Sequence, residues 1–148
     1  MGVAQEGSML TQLHDHMVGE VQQSARTDTV FFITGVLFNL IVLGVNWAVA
    51  QPHGAEGHSA TNDAILGVLI VVTVAINALA LRALSSGKDR MQRLLGGLAA
   101  IYTDAGVDKY YDPALRASYR SRYTAFMGVL GMLAAAALAV PLLQRLIS

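Results

Sequence analysis

Three stretches of this chain are almost devoid of polar side chains. Residues 29–50 contain no ionisable group and stop at Gln51 and Pro52. Residues 64–81, AILGVLIVVTVAINALAL, lie between Asp63 and Arg82, and residues 123–143, YTAFMGVLGMLAAAALAVPLL, lie between Arg122 and Arg145. Crossing a hydrocarbon layer of about 30 Å takes roughly 20 residues of helix. Each run therefore predicts a transmembrane helix, the third less apolar because alanine dominates it and Pro141 interrupts its end.

Outside these runs the pattern becomes helical and two-faced. Leu10, Leu13, Met17, Val21 and Ala25 recur every three or four positions, with Glu20, Gln22 and Gln23 largely off that stripe, which predicts an amphipathic helix over 8–27. Met91, Leu94, Leu95, Leu98, Ile101 and Tyr102 repeat the pattern behind Lys88, Arg90 and Arg93, predicting a second one over 88–105 into which the second span, 64–82, can continue directly. Gly87 and the pair Gly96, Gly97 mark places for a bend, since each costs about 1 kcal/mol in a helix relative to Ala. Gly106 reads as a helix C-cap, and Asp112 followed by Pro113 reads as a helix start, so one helix is expected to run from 113 to 147, through the third span. The fold class expected is all-α, a single membrane domain over 1–148 with three transmembrane helices and amphipathic helices on the cytoplasmic side.

Composition agrees: 54% hydrophobic and only 14% charged residues among 148, against about 25% charged in an ordinary soluble domain. Net charge is zero, so the distribution of charge informs more than its sum. Arg82, Lys88, Arg90, Arg93, Lys109, Arg116, Arg120 and Arg122 all lie between the second and third runs, whereas 51–62 has no Lys or Arg. By the positive-inside rule this places the long connection and the N-terminus in the cytoplasm and the C-terminus outside, in a cytoplasmic (inner) membrane. Tyr119 and Tyr123 beside Arg116, Arg120 and Arg122 are expected to meet lipid headgroups or a partner, with Trp47 at the opposite interface. The first residues lack the basic and apolar regions of a signal peptide, so the N-terminus is expected to be retained. Glu6 stands where a myristoylation start wants Ser or Thr.

Two asparagines sit inside the most apolar run. Asn39 and Asn46, seven apart, share one helix face with Gly35 and Asp28, and the second run places Thr73 and Asn77 four apart on one face. An amide turned to lipid leaves its donors and acceptor unpaired, so these faces must meet protein or water. They either hold helices together or line a passage. Gly128, Gly131, Met132, Ala135 and Ala139 form a small-residue stripe of the kind that lets helix backbones pack closely, within a chain or between copies, which is one reason to expect a homo-oligomer.

Chemistry is harder to place. His14 and His16 are two apart, about 200° around a helix, and His53 and His58 lie in the outer loop, so no pair of histidines is set to hold zinc or a membrane haem. Asp104, Asp108 and Asp112 are four apart but straddle Gly106. Ser85 and Ser86 have no base inside a span, no span carries an ion-coupling carboxylate, and cysteine is absent. The expectation is no catalytic residue, no metal, no cofactor and no nucleic-acid partner.

In layout, short apolar spans coupled to cytoplasmic helices, the chain is similar to small bacterial membrane effectors of the SLATT type. That resemblance implies membrane permeabilisation and transfers no site residue. Two functions follow as expectations: a homo-oligomer enclosing a weakly selective pore lined by Asn39 and Asn46 with Thr73 and Asn77 in support, or an accessory or scaffold subunit that binds other membrane subunits or a soluble cytoplasmic partner.

Overall fold

The structure, a computed structural model, describes the backbone of residues 2–50 and 60–147, and side chains over 7–48 and 64–144. Three long helices pack against one another: α1 Gly2–Ala50, α2 Ala60–Asp104 and α3 Ala114–Ile147, with a 3₁₀ turn at Asp108–Tyr110 between α2 and α3. All three are long and apolar enough to cross a membrane, which suggests a membrane protein. The connection 51–59, with His53 and His58, falls outside the described residues.

Each long helix joins segments that the sequence pattern separates. The amphipathic stretch 8–27 and the run 29–50 form one unbroken helix, and the second span continues into 88–105 as the sequence allows, with no interruption at Gly87 or at Gly96 and Gly97. The reason is tertiary: a Cβ on Gly87 would lie 2.7 Å from both carboxylate oxygens of Asp28, and one on Gly97 2.7 Å from the Met17 methyl. These glycines admit side chains from α1, and that packing outweighs their helix penalty of about 1 kcal/mol. The α2 helix does end at a left-handed glycine, Gly106 at φ 67°. Asp112 caps the start of α3, its Oδ1 accepting from the Ala114 N–H at 2.8 Å, and Pro113 precedes the first helical residue.

Buried positions follow a 3.5-residue repeat on every helix, the spacing of supercoiled bundles. On α1 they include Asp28, Gly35, Asn39, Val42 and Asn46, on α2 Thr73, Asn77, Leu84, Gly87 and Met91, and on α3 Tyr123, Leu130 and Ala137 at intervals of seven. The seam changes character along its length. At the end formed by the first half of α1 and the second half of α2, its core is apolar: Met91, Leu95 and Tyr123, flanked by Val21, Ala25 and Tyr119. At the other end it holds amides and a hydroxyl, while the outside is apolar, with Val30, Ile33, Leu37, Ile41, Val68, Val71, Leu79 and Met132 all exposed. The outside of this second end is the apolar surface that a membrane-spanning bundle would need. At 49 residues α1 is about 74 Å long, more than twice a bilayer's apolar thickness, so a stalk of helix extends beyond any membrane-spanning part.

The far end of the stalk is closed by aromatic contacts: Tyr102 lies 5.6 Å from both the His14 and Tyr111 rings. Burial raises the Tyr111 phenol above its ordinary value, with Arg116 opposing. A raised folded-state pKa leaves stability intact below about pH 10, the unfolded value, and loses it as pH rises through the folded value. Tyr111→Phe, which also removes a buried hydroxyl that has no partner among the described residues, is expected to flatten the fall in stability above pH 10, read from melting midpoints in detergent at pH 8 and 11. Gly87→Ala is expected to destabilise the bundle by about 1–3 kcal/mol through overpacking. Gly19→Ala, with nothing within 4 Å of its added Cβ, should be neutral or stabilising by up to about 1 kcal/mol.

Candidate functional site: the buried polar seam

Three polar contacts stand along the bundle axis, each tying α1 to a neighbour. The first, at the junction between stalk and apolar half, is built around Asp28. The Tyr123 hydroxyl on α3 donates to Asp28 Oδ2, and the Ser24 hydroxyl, one turn back, lies 3.4 Å from the same oxygen. The glycine at 87 on α2 leaves room for the carboxylate. Tyr123 is fully buried rather than set at a lipid interface. Its hydroxyl faces Asp28, and its ring belongs to the stalk core. Arg122 beside it also turns from bulk solvent: its guanidinium lies 4.9, 5.8 and 5.7 Å from the ring centroids of Tyr119, Tyr123 and Phe126. Phe126 in turn stacks on Phe32 of α1 at 4.1 Å. Nε and Nη2 of Arg122 are buried without hydrogen-bond partners among the described residues, and the three ring faces lie within cation–π range of the guanidinium.

The second contact is a reciprocal amide pair. Asn39 Nδ2 donates to Asn77 Oδ1 at 2.8 Å, and Asn77 Nδ2 donates to Asn39 Oδ1 at 2.9 Å. Each amide spends its other N–H one turn back on its own helix, Asn39 on the Gly35 carbonyl and Asn77 on the Thr73 carbonyl. Both amides thereby use their two donors and their acceptor, and both side chains are buried, Asn39 at 1% exposure. Thr73 completes the series by donating to the Leu69 carbonyl at 2.7 Å. A residue at Gly35 with a Cβ would approach the Leu130 Cδ1 at 2.8 Å, so Gly35 brings α3 close beside this pair.

The third contact explains Asn46. Pro141 stands inside α3, has no N–H, and so leaves the carbonyl four residues earlier without its helical donor. That carbonyl belongs to Ala137, and Asn46 Nδ2 from α1 donates to it at 3.0 Å. Asn46, Ala137 and Pro141 are all buried. The amide replaces the missing helical bond, whereas its Oδ1 accepts nothing from the described residues.

Asn39, Asn46, Thr73 and Asn77 therefore meet inside one chain's bundle, bonded to each other or to its backbone. The small-residue stripe does the opposite. Gly128, Met132, Ala135 and Ala139 face outward, and a Cβ on Gly128 or Gly131 would find nothing within 4 Å. Among the described residues no three His, Asp or Glu side chains are grouped to hold a metal ion, and His16 is exposed. The Asp28–Tyr123 contact and the Asn46–Pro141 relation escape a reading of sequence alone. Their signals are an acid on the asparagine face and a proline inside an apolar helix. Compared with known proteins, the chain matches no family model, no curated protein and no solved structure.

The amide pair is expected to show strong coupling in a double-mutant cycle. Asn39→Leu or Asn77→Leu alone strands the partner amide, and the double variant strands neither, so the interaction energy should be about 0.6–2 kcal/mol. Additive losses in micelle unfolding would contradict the contact. For Asn46, the informative background is Pro141→Ala, which returns an N–H to the Ala137 carbonyl. Asn46→Leu should cost about 1–3 kcal/mol beside Pro141 and clearly less beside Ala.

Proposed function

We propose that this chain is a non-enzymatic integral membrane protein that serves as an accessory or scaffold subunit, its apolar half anchoring a three-helix stalk that presents a docking end to a cytoplasmic partner. In this reading it sits in the cytoplasmic membrane with the N-terminus and stalk inside and the C-terminus outside, as its Lys and Arg distribution favours.

The observation that carries the reading is the free end of α1. Met17 meets Gly97, and His14 meets Tyr102, so α2, which ends at Asp104, runs out level with the third turn of α1. The first turns of α1 overhang the bundle. Met9 and Leu10 are exposed there and Leu13 just inside the level where α2 ends, forming an apolar patch that gains by being covered in water. Asn39 and Asn77 offer little to a neighbour, since their hydrogen bonds are made within the chain, and Asn46 keeps only its Oδ1 unbonded to the described residues.

A homo-oligomeric, weakly selective pore is the competing proposal, and the resemblance in layout to permeabilising effectors favours it. It would need a lining other than Asn39 and Asn46, drawn from outer faces that carry chiefly Val, Ile, Leu and Ala, or it would need the bundle to open and break both asparagine contacts.

Met9→Ser, Leu10→Ser and Leu13→Ser combined should leave the melting midpoint of the purified chain within about 2 °C, because exposed substitutions cost little. The same variant should abolish recovery of a stoichiometric partner after crosslinking in native membranes. A partner retained by the triple variant would sink the docking role, and a defined oligomer that conducts ions in a planar bilayer would transfer the case to the pore.

A further inference from the structure

Ala117, Arg120, Ser121, Thr124 and Ala125 line an open groove of about 520 Å³ on the outer face of α3. It lies where the helix passes from its arginine-rich start to its apolar run. Beyond it the same face continues through Gly128, Met132, Ala135 and Ala139, all exposed.

The charge of this region is one-sided. Helix α3 contains Arg116, Arg120, Arg122 and Arg145 and no Asp or Glu. The first three occupy its opening turns, the end where the helix dipole is already positive and an anion is favoured. Arg116 is exposed; its guanidinium lies 3.8 Å from the position of a Cβ added to Gly96 of α2, and its backbone carbonyl accepts from Gln92 at 3.1 Å. Arg122 is covered by aromatic rings. Arg120 is exposed, its guanidinium bonded to none of the described residues, at the rim of the groove. The Thr124 hydroxyl is committed to the Arg120 carbonyl at 3.0 Å, which leaves Ser121 as the groove's available hydroxyl.

We propose that this groove binds one anionic phospholipid of the cytoplasmic leaflet. Its phosphate is held by the Arg120 guanidinium and the Ser121 hydroxyl, and one acyl chain lies along Ala125, Gly128 and Ala135. The proposal rests on the membrane reading above and narrows its headgroup contacts to one arginine. A second copy of the chain fits this face poorly. Copies in one membrane share an orientation, so two α3 faces in contact would set Arg120 against Arg120 at the same depth with no acid on the helix between them. An anionic lipid supplies the missing negative charge and lays hydrocarbon along this exposed face.

The test is native mass spectrometry of the full chain from micelles containing equal phosphatidylglycerol and phosphatidylcholine, with Arg120→Gln, Gly128→Leu and, as an exposed control on the stalk, Arg93→Gln. The wild type should retain one phosphatidylglycerol in preference to phosphatidylcholine. Arg120→Gln should weaken that retention about fivefold, the equivalent of about 1 kcal/mol for one basic side chain at the surface, and Arg93→Gln should not. Gly128→Leu, which has open space around it, should reduce retention of the acyl chain without unfolding the bundle. Equal retention of both lipids, or no effect of Arg120→Gln, would overturn the site. Glycerol phosphate displacing the lipid at millimolar concentration would overturn its acyl half, and a dimer in neutral lipid that Gly128→Leu abolishes would give the face to a second copy. Failure of the chain to enter micelles would overturn the membrane reading itself, and it is recognised before any lipid is counted.

Discussion

A buried amide that cannot reach water must find its donors and acceptors inside the protein, and the apolar half of this bundle is arranged around that constraint. Asn39 and Asn77 answer it by pairing, each closing its remaining N–H on the carbonyl one turn back. Asn46 answers it in reverse, since there the unsatisfied group is a backbone carbonyl released by Pro141 and the side chain comes from another helix to supply the donor. These contacts fix rotation and register together. A one-residue slip would turn the amides about 100° off the seam and leave them unpaired, whereas an alanine or leucine seam would tolerate the slip.

That specificity matters because hydrocarbon provides little force to press apolar helices together. The outer faces, rich in Val, Ile and Leu, are equally content against lipid or against each other. In a stalk standing in water the ordinary hydrophobic effect would operate, and Met91, Leu95 and Leu98 are buried as it requires. Where the two regimes meet, Asp28 contacts all three helices: it accepts from Tyr123 on α3, sits within Ser24's reach on α1, and packs on Gly87 of α2. The junction thus couples a polar-cored half to an apolar-cored half through one carboxylate.

Much of the fold is legible in the sequence because hydropathy over 20 residues is a strong signal and the asparagines betray their shared face by a spacing of seven. That α2 runs unbroken through Gly87 and Gly97 is less so, because these glycines carry a local cost whose compensation, room for Asp28 and Met17, exists only once α1 is in place. Tyr123 illustrates the same limit. A tyrosine between arginine and an apolar run usually marks an interface, and only the 3.5-residue seam through Leu130 and Ala137 sends it inward. The partners of Asn39 and Asn46 depend on the register between helices far apart in sequence, which no local pattern encodes. The comparisons add no function to this account, so the functional reading rests on where the apolar and charged groups are left uncovered.

The central claim, that the asparagines bond within one chain, is tested most directly by magic-angle-spinning NMR on bilayer samples with side-chain-labelled asparagine. The labelled protein is diluted into excess unlabelled protein. The account predicts a cross-peak between the Asn39 and Asn77 side-chain amides that keeps its intensity per labelled chain on dilution, with both amides protected from exchange with D₂O. A cross-peak that fades on dilution, or amides that exchange freely with water, would place these side chains at a contact between copies or along an aqueous passage and contradict it.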